Sequence, residues 1–222
     1  MAKLCLALDT EYERALELIK ALRGYPLVIK VGYKLFISQH RKITDRVKEE
    51  GFELFLDIKL HDIPNTVKDG VLSAQELGAD YLTLHISAGR QALREAVKVK
   101  GSTKLLGVSL LTSLDEEDLR DIGYCGNRLV RVVSLSKIAI EEGLDGVVCS
   151  GLELGVLREN FGGSFIAVVP GVRLEGEQAD DQKKAVSLEQ ALRAGADLVV
   201  MGRSILRSKD PIKTVEDILK LF

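Results

Sequence analysis

Residues 53–87 read ELFLDIKLHDIPNTVKDGVLSAQELGADYLTLHIS and contain one complete strand–helix–strand unit. An apolar run ends at Lys59, an amphipathic segment follows and stops at Gly78, and a second apolar run begins at Tyr81. Such nearly continuous apolar runs are typical of parallel strands that helices cover on the outer face. A glycine just past a helix relieves the left-handed strain there, so Gly78 predicts the helix end. The stretch therefore predicts a βαβ unit of a parallel sheet.

The same alternation of apolar runs and helical segments extends over the whole chain. Eight apolar runs are present: KLCLALD (3–9), PLVIKVG (26–32), ELFLDIK (53–59), YLTLHIS (81–87), KLLGVSL (104–110), DGVVCS (145–150), FIAVVPG (165–171) and LVVMGR (198–203). Helix boundaries are marked by residues such as Ser187, a potential cap, and Pro211, which suits a first turn. Eight strand–helix pairs without a linker predict an α/β fold, one closed (β/α)₈ TIM barrel forming a single domain over residues 1–222. A doubly wound open sheet is the alternative, but no G-x-G-x-x-G follows the first strand.

The composition favours a small-molecule partner. The chain has 222 residues, 46% hydrophobic and 29% charged, with a net charge of −2. It carries no basic stripe or aromatic-interleaved basic patch, so nucleic-acid binding is not expected. The three cysteines form no C-x-x-C pair and the three histidines are scattered, so no metal site is expected. The first apolar run is short and meets Asp9 at once, which predicts neither a secretory signal nor a membrane span and favours the cytoplasm.

Polar side chains are expected at one mouth of this barrel, because active sites of such barrels lie at the carboxyl ends of the strands. We interpret His85 there as a hydrogen-bonded structural residue. Ser150 lacks a G-x-S-x-G elbow, so a hydrolase triad is not supported. The residues that fall at this mouth are Asp9, Lys30, Asp57, Lys59, His85, Thr112, Ser150, Arg173 and Arg203.

Four charged residues form the most informative group at this mouth. Asp57 and Lys59 are two positions apart on a predicted strand, so both side chains point into the barrel. Lys30 closes the second strand, and Asp62 begins the loop after Lys59 and can return towards the same space. An alternating Lys–Asp–Lys–Asp group keeps its lysines protonated. The charge pattern alone leaves two interpretations equally open, a catalytic network and a structural network of ion pairs.

The stretch D-x-K-x-x-D-I-P-N-T, from Asp57 to Thr66, resembles the signature of the orotidine 5′-monophosphate decarboxylases. Related phosphosugar decarboxylases share its D-x-K-x-x-D core, whereas the remaining motifs make the match specific. The resemblance covers nearly the whole chain and includes LALD (6–9), VIKVGYKLF (28–36), GVSLLTSL (107–114), PGVR (170–173), DDQKK (180–184) and MGRSI (201–205). It implies a cofactor-free barrel enzyme that converts orotidine 5′-monophosphate into UMP and carbon dioxide, the last step of UMP biosynthesis.

The resemblance also implies a catalytic role for each residue of the charged group. Lys59 is expected beside C6 of the pyrimidine, where it stabilises the carbanion left by decarboxylation and then delivers the proton. Asp57 is expected to face the substrate carboxylate. Lys30 and Asp62 are expected to hold the network and to bind ribose hydroxyls. Since no cofactor is implied, preorganised charge must stabilise the carbanion.

A shared active site follows from the same resemblance. In this family the second Asp of the motif and the Thr of DIPNT come from the neighbouring subunit. Asp62 and Thr66 are therefore expected to complete the partner's site in a homodimer that is obligatory for activity. Within the chain's own site, Asp9 is expected to contact a ribose hydroxyl and Thr112 the pyrimidine.

The end of the chain predicts a phosphate site partly independently of the resemblance. Such barrels often bind phosphate with the loops after strands seven and eight. Gly202 permits close backbone approach, and Arg203 can pair with phosphate oxygens in a forked geometry; a helix-starting turn with a solvated Arg is the alternative. The polar stretch 171–184, with Arg173 and Gln182, is interpreted as a lid over phosphate and base rather than a merely solvated loop.

Two rival functions remain at this point. Magnesium-dependent phosphosugar enzymes of the same superfamily, such as 3-keto-L-gulonate 6-phosphate decarboxylase and hexulose phosphate synthase, stabilise an enediolate with the metal. They are expected to have an additional acidic ligand near strand two, where this chain has Lys30. A catalytically silent phosphate sensor is free to lose Lys59 or Asp62, yet the sequence keeps both.

Overall fold

A closed barrel of parallel strands forms the centre of the molecule in the computed structural model, which describes residues 2–174 and 186–222. The strands are β1 (Lys3–Ala7), β2 (Leu27–Gly32), β3 (Glu53–Leu60), β4 (Tyr81–His85), β5 (Lys104–Val108), β6 (Gly146–Val148), β7 (Ile166–Pro170), β8 (Val172–Arg173), β9 (Val186–Ser187) and β10 (Leu198–Met201). Around the barrel the order is β1-β10-β7-β6-β5-β4-β3-β2. The predicted (β/α)₈ barrel is confirmed.

Helices connect successive barrel strands and surround the sheet. They are α1 (Tyr12–Ala21), α2 (Tyr33–Gln39), α3 (Arg41–Glu49), α4 (Pro64–Glu76), α5 (Arg90–Val99), α6 (Glu116–Asp121), α7 (Arg128–Glu141), α8 (Gly151–Phe161), α9 (Leu188–Arg193), α10 (Arg203–Leu206) and α11 (Pro211–Leu219), with a 3₁₀ turn at Ile86–Ala88. The predicted boundaries are confirmed: the Ser187 hydroxyl accepts from the amide of Gln190, and Pro211 lies in the first turn of α11. Gly78, just past α4, has a φ of 72°.

Two apolar layers hold the barrel together. Alternate side chains of each strand point inwards, so residues such as Cys5 and Phe55 fill the barrel interior. The intervening residues, such as Leu4 and Leu54, join the larger core between strands and helices. Within the described residues, no helix is long and apolar enough to cross a membrane.

One local feature was not predicted. β8 and β9 form a separate two-stranded parallel sheet, in which Val172 pairs with Val186 and Arg173 with Ser187. Each strand has two residues, too few to produce a recognisable period in the sequence. This small sheet brackets residues 175–185, so Gln182 and most of the predicted lid lie outside the described residues.

Candidate active site

A cavity of about 250 Å³ opens at the carboxyl ends of the barrel strands. Its floor is apolar and includes Phe55 and Val168. Seven of the nine polar residues predicted for this mouth line its walls, together with Gly202: Asp9, Lys30, Asp57, Lys59, Thr112, Arg173 and Arg203. His85 and Ser150, also expected there, are not among the lining residues. The barrel therefore brings together side chains that lie up to 194 positions apart in sequence, Asp9 and Arg203 being the outermost pair. A charged rim over an apolar floor suits a small ligand with both a flat apolar part and anionic groups.

Four of these residues form a chain of alternating charge. Lys30 Nζ lies 3.6 Å from Asp9 Oδ1 and 3.2 Å from Asp57 Oδ2. Lys59 Nζ donates to Asp57 Oδ1 over 2.8 Å. The predicted alternating network is present, but its fourth member within the chain is Asp9 rather than Asp62. Asp57 is the centre of this network because it contacts both ammonium groups.

The network keeps its buried members charged. Burial alone would lower the pKa of Lys30, but the carboxylates of Asp57 and Asp9 outweigh it, so the pKa is raised. Burial alone would raise the pKa of Asp57, but Lys30, Lys59 and a hydrogen bond from Thr83 outweigh it, so the pKa is lowered. At neutral pH the site therefore presents a fixed pattern of full charges to a ligand.

Strand β3 is irregular where it carries Asp57 and Lys59. Leu56 pairs with Leu82 of β4, and the next pair is Leu60 with Leu84, so β3 has more residues than β4 between the two pairs. Lys59 has a φ of 45°, in the left-handed region that costs a residue with a side chain roughly 1–2 kcal/mol. Local strain of this kind tends to cluster at functional sites.

Thr83 supports this irregular segment from β4. Its hydroxyl accepts from the backbone amide of Lys59 over 2.9 Å and donates to Asp57 Oδ1 over 2.9 Å. The residue is buried and lines the cavity. Sequence reasoning missed Thr83; the available signal was a polar residue between Leu82 and Leu84, at an inward-facing position of the strand.

Arginine and glycine residues form the opposite wall. Gly202 follows β10 and Arg203 begins α10. A Cβ at Gly202 would lie 3.3 Å from both Cβ and the backbone oxygen of Ala7, so a glycine lets the loop approach β1 closely. Arg173 is 91% buried, and its Nε and Nη2 atoms have no hydrogen-bond partner among the described residues. Buried donors without partners are costly, so this guanidinium is suited to receive an anionic ligand.

Comparison with known proteins shows the family of this chain. A sequence model of the orotidine 5′-phosphate decarboxylase / HUMPS family matches residues 2–218. The chain belongs to this family. Orotidine 5′-phosphate decarboxylase of Aquifex aeolicus is 42% identical to it over 228 residues, covering 100% of this chain and 99% of that protein. The enzyme of the same name from Ehrlichia canis is 43% identical, covering 96% and 94%.

A solved structure of the family has the same architecture. The crystal structure of orotidine 5′-phosphate decarboxylase from Lactobacillus acidophilus superposes with a TM-score of 0.88 at 33% identity, covering 100% of this chain and 99% of that one. The two proteins therefore share the barrel over their whole length.

Two signature residues of the family do not reach the cavity of their own chain. Asp62 and Thr66 are exposed, and the described residues line the cavity without them. Asp62 Oδ1 instead accepts from the backbone amide of Ile63 over 2.7 Å. Within its own chain Asp62 is not among the residues that line the cavity, and its expected role in the partner's site stays a prediction.

A buried ion pair that the sequence did not reveal holds the loop carrying Thr112. Arg128 of α7 donates to Glu153 over 2.8 Å, and its other nitrogens donate to the carbonyl oxygens of Leu114 and Leu111 over 3.0 and 3.2 Å. These two carbonyls flank Thr112, so the guanidinium fixes the loop on both sides. Nothing in the apolar sequence around Arg128 distinguishes it from a solvated helix residue.

The histidine at the end of β4 lies beside the network rather than in the cavity lining. His85 packs against His61 with ring centroids 5.0 Å apart. Burial lowers the pKa of His85, and the neighbouring His61 and Lys59 lower it further. A neutral His85 adds no positive charge to the site at neutral pH.

Proposed function

We propose that this chain decarboxylates orotidine 5′-monophosphate to UMP and carbon dioxide, the last step of UMP biosynthesis, without a cofactor. The observation that carries the proposal is the Lys59–Asp57 pair, 2.8 Å apart in the wall of a cavity with an apolar floor. The relatives from Aquifex aeolicus and Ehrlichia canis, at 42% and 43% identity, bear the name of this activity.

Lys59 supplies the charge and the proton that the reaction needs. When the bond between C6 and the carboxylate breaks, carbon dioxide leaves and the electron pair remains on C6 in the ring plane. The ammonium of Lys59 beside C6 stabilises this pair by about 4 kcal/mol at ~4 Å and an effective dielectric constant of about 20. It then delivers a proton to C6, which gives UMP, and regains a proton from solvent. Preorganisation by Asp57 means that no rearrangement is needed at the moment of reaction.

Asp57 favours the loss of the substrate carboxylate. Its pKa is lowered, so it is ionised when a carboxylate binds against it. Two like charges in contact destabilise the bound substrate, and the repulsion disappears as neutral carbon dioxide forms. Lys30, held between Asp57 and Asp9, keeps the network in place and binds a ribose hydroxyl together with Asp9.

The remaining lining residues bind the base and the phosphate. Thr112 contacts the pyrimidine from the loop that Arg128 holds. Gly202 and Arg203 bind the phosphate, since a guanidinium pairs with phosphate oxygens in a forked geometry. The buried, unmet donors of Arg173 contribute to the same anion site, and Gln182, which lies outside the described residues, is assigned to substrate binding by the family resemblance alone. Binding energy from this remote phosphate then lowers the chemical barrier.

The active unit in this proposal is a homodimer in which Asp62 and Thr66 complete the partner's site. Both residues are exposed and are not among the residues that line the cavity of their own chain. Exposed apolar side chains include Tyr33 and Ile37, one turn apart on α2, by 53% and 66%, and Ile63, next to Asp62 in sequence, by 67%. A second copy that covers Ile63 would bury this side chain and bring Asp62 to the partner's network.

Two further points complete the proposal. Residues 1–222 act as a single domain, in keeping with a family match that runs through residues 2–218 without a break. The reaction takes place in the cytoplasm, in keeping with the free thiols of Cys5, Cys125 and Cys149, which suit a reducing compartment.

Orotidine monophosphate consumption is the direct test. The ultraviolet absorbance of orotidine 5′-monophosphate is followed after adding purified protein, with EDTA and without any added cofactor. We expect rapid conversion to UMP. Absence of conversion by folded protein contradicts the proposal. Conversion that EDTA abolishes favours the magnesium-dependent mechanism of the related phosphosugar enzymes.

A further inference from the structure

The pairing of β3 with β4 is interrupted between Leu56 and Leu60, and the side chain of Thr83 supplies a hydrogen bond there. We propose that Thr83 is a positioning residue of this active site, whose hydroxyl fixes the left-handed backbone of Lys59 and the carboxylate of Asp57 in one arrangement. This inference rests on the proposed decarboxylase function, because Lys59 and Asp57 are the groups that act on the substrate there.

The hydroxyl of Thr83 uses its donor and its acceptor capacity on the same segment. It accepts from the amide of Lys59 and donates to Asp57 Oδ1, each over 2.9 Å. Lys59 Nζ donates to the same Oδ1 atom over 2.8 Å. The three contacts close a small ring through Asp57, Thr83 and Lys59, so moving any one group disturbs the other two.

The irregular register explains why a side chain is needed at this point. In a regular parallel ladder the amide of Lys59 would donate to a backbone carbonyl of the next strand. Between the pairs Leu56–Leu82 and Leu60–Leu84, β3 is too long for that pairing, and the φ of 45° at Lys59 turns its amide out of the ladder. The Thr83 hydroxyl takes the place of the missing carbonyl. Without it the strained conformation loses the partner that holds it.

Thr83 also fixes which way the carboxylate faces. Asp57 Oδ2 is engaged by Lys30 and Oδ1 by Lys59 and Thr83. Threonine is buried here and its χ1 is restricted by branching at Cβ, so the donor direction is fixed. A rigid carboxylate holds the Lys59 ammonium at one place above the cavity floor, which is what preorganised electrostatic catalysis requires.

Kinetics of hydroxyl-deletion variants test the inference. Thr83→Val keeps the size and branching of the side chain but removes both hydrogen bonds, whereas Thr83→Ser keeps the hydroxyl. We expect Thr83→Val to lower kcat by about tenfold to a hundredfold, as small misplacements of reacting groups do, with KM little changed. Thr83→Ser is expected to retain most of the wild-type kcat. A kcat of Thr83→Val equal to that of the wild type overturns the inference.

A matched control separates positioning from general loss of stability. Thr103 is likewise buried, and its hydroxyl donates to the backbone oxygen of Ala79 over 2.8 Å, before β5 begins and at the opposite end of the barrel. Thr103→Val removes a comparable hydrogen bond and is expected to lower Tm without lowering kcat. Equal losses of kcat in the two valine variants would mean that Thr83 is only structural.

The pH profile gives a second readout that a purely structural role would not move. Asp57 is faced by Lys30 from β2, by Lys59 from its own strand and by Thr83 from β4, with Cys5, Asp9 and His85 farther out. The donated hydrogen bond of Thr83 lowers the pKa of Asp57. The acidic limb of the kcat/KM profile should therefore move to higher pH in Thr83→Val and stay in place in Thr83→Ser and Thr103→Val.

Failure of the Thr83 inference can be distinguished from failure of the proposed decarboxylase function. The wild-type protein is assayed first with orotidine 5′-monophosphate; inactivity there contradicts the proposed function, and activity makes the Thr83 series decisive. If Thr83→Val does not fold, Thr83→Ala and Thr83→Ser form the deciding pair, since both lack the methyl group and only one has the hydroxyl. Equal kcat values and equal acidic limbs in that pair overturn the inference.

Discussion

Lys59 combines an unusual backbone with a central place in the charge network. Its φ is 45° and its ammonium lies 2.8 Å from Asp57 and 5.8 Å from the ring centre of Tyr33. A residue held in a strained conformation beside a fixed carboxylate has little conformational freedom, so its ammonium group stays at one position. This restriction makes the proposed role of Lys59 testable by simple truncation.

Lys59→Ala is expected to lower kcat by about a thousandfold or more, because it removes the proton donor and the charge worth about 4 kcal/mol beside the carbanion. The fold should persist, since Asp57 keeps its partner Lys30. The ultraviolet assay and circular dichroism measure the two effects. Lys98→Ala on the exposed last turn of α5 is the control and should match the wild type. A near-normal rate for Lys59→Ala contradicts the mechanism.

The ionised state of Asp57 predicts a pH dependence of stability. A carboxyl whose pKa is lower in the folded than in the unfolded state stabilises the fold fully above the unfolded-state pKa, which is near about 4. This contribution is lost as the pH falls through the lowered, folded-state value. The difference in unfolding free energy between the wild type and Asp57→Asn should therefore shrink from about pH 5 towards about pH 2. Urea denaturation at several pH values measures it, and a constant difference contradicts the network described here.

At the level of elements, the loop from β10 into α10 forms the proposed phosphate end of the site. Gly202 allows this loop to lie against β1, and Arg203 follows at the cavity wall. The same local sequence on an isolated helix would leave the arginine in solvent. The neighbouring strand β8 carries the buried Arg173, so the cavity wall contains a second guanidinium besides that of Arg203.

Arg203→Ala is expected to raise KM for orotidine 5′-monophosphate about tenfold to a hundredfold, because a charge-assisted forked contact to phosphate is lost. Arg207→Ala, one turn farther along at the end of α10 and exposed, is the matched control and should leave KM unchanged. Initial rates over a range of substrate concentrations separate KM from kcat. The phosphate assignment fails if both variants have the wild-type KM.

At the scale of the whole molecule, two residues of the family signature, Asp62 and Thr66, are exposed and do not line the cavity of their own chain. If Asp62 and Thr66 act in catalysis, as the family resemblance implies, a second copy of the chain would supply them. Ile63, next to Asp62 in sequence, is an exposed apolar side chain that such a partner could cover.

Mixing two inactive variants tests this arrangement. Asp62→Ala and Lys59→Ala are each expected to inactivate their own homodimers, whereas a hybrid dimer would have one site with both residues intact. After subunit exchange we expect up to about a quarter of wild-type activity to return, since half of the dimers are hybrids with one good site of two. Exchange is verified with differently tagged chains. No recovery in verified hybrids contradicts the shared site.

The barrel and most of the polar side chains of the cavity lining could be predicted from the sequence alone. Strand periodicity, helix-ending glycines and the caps at Ser187 and Pro211 depend on local backbone and burial preferences, so they are readable from neighbouring residues. The rule that barrel sites lie at strand carboxyl ends then predicts Asp9, Lys30 and Lys59 at one mouth.

The contacts within that mouth could be found only from the tertiary structure. The ion pair of Lys30 with Asp9, the hydrogen bonds of Thr83 and the contacts of Arg128 with the Thr112 loop all join residues of different strands, loops and helices. Each depends on strand register and on loop direction, which side-chain types do not encode locally. A one-residue change of register in β3 would reverse which side chains face the barrel, so the site exists only once the whole barrel has closed.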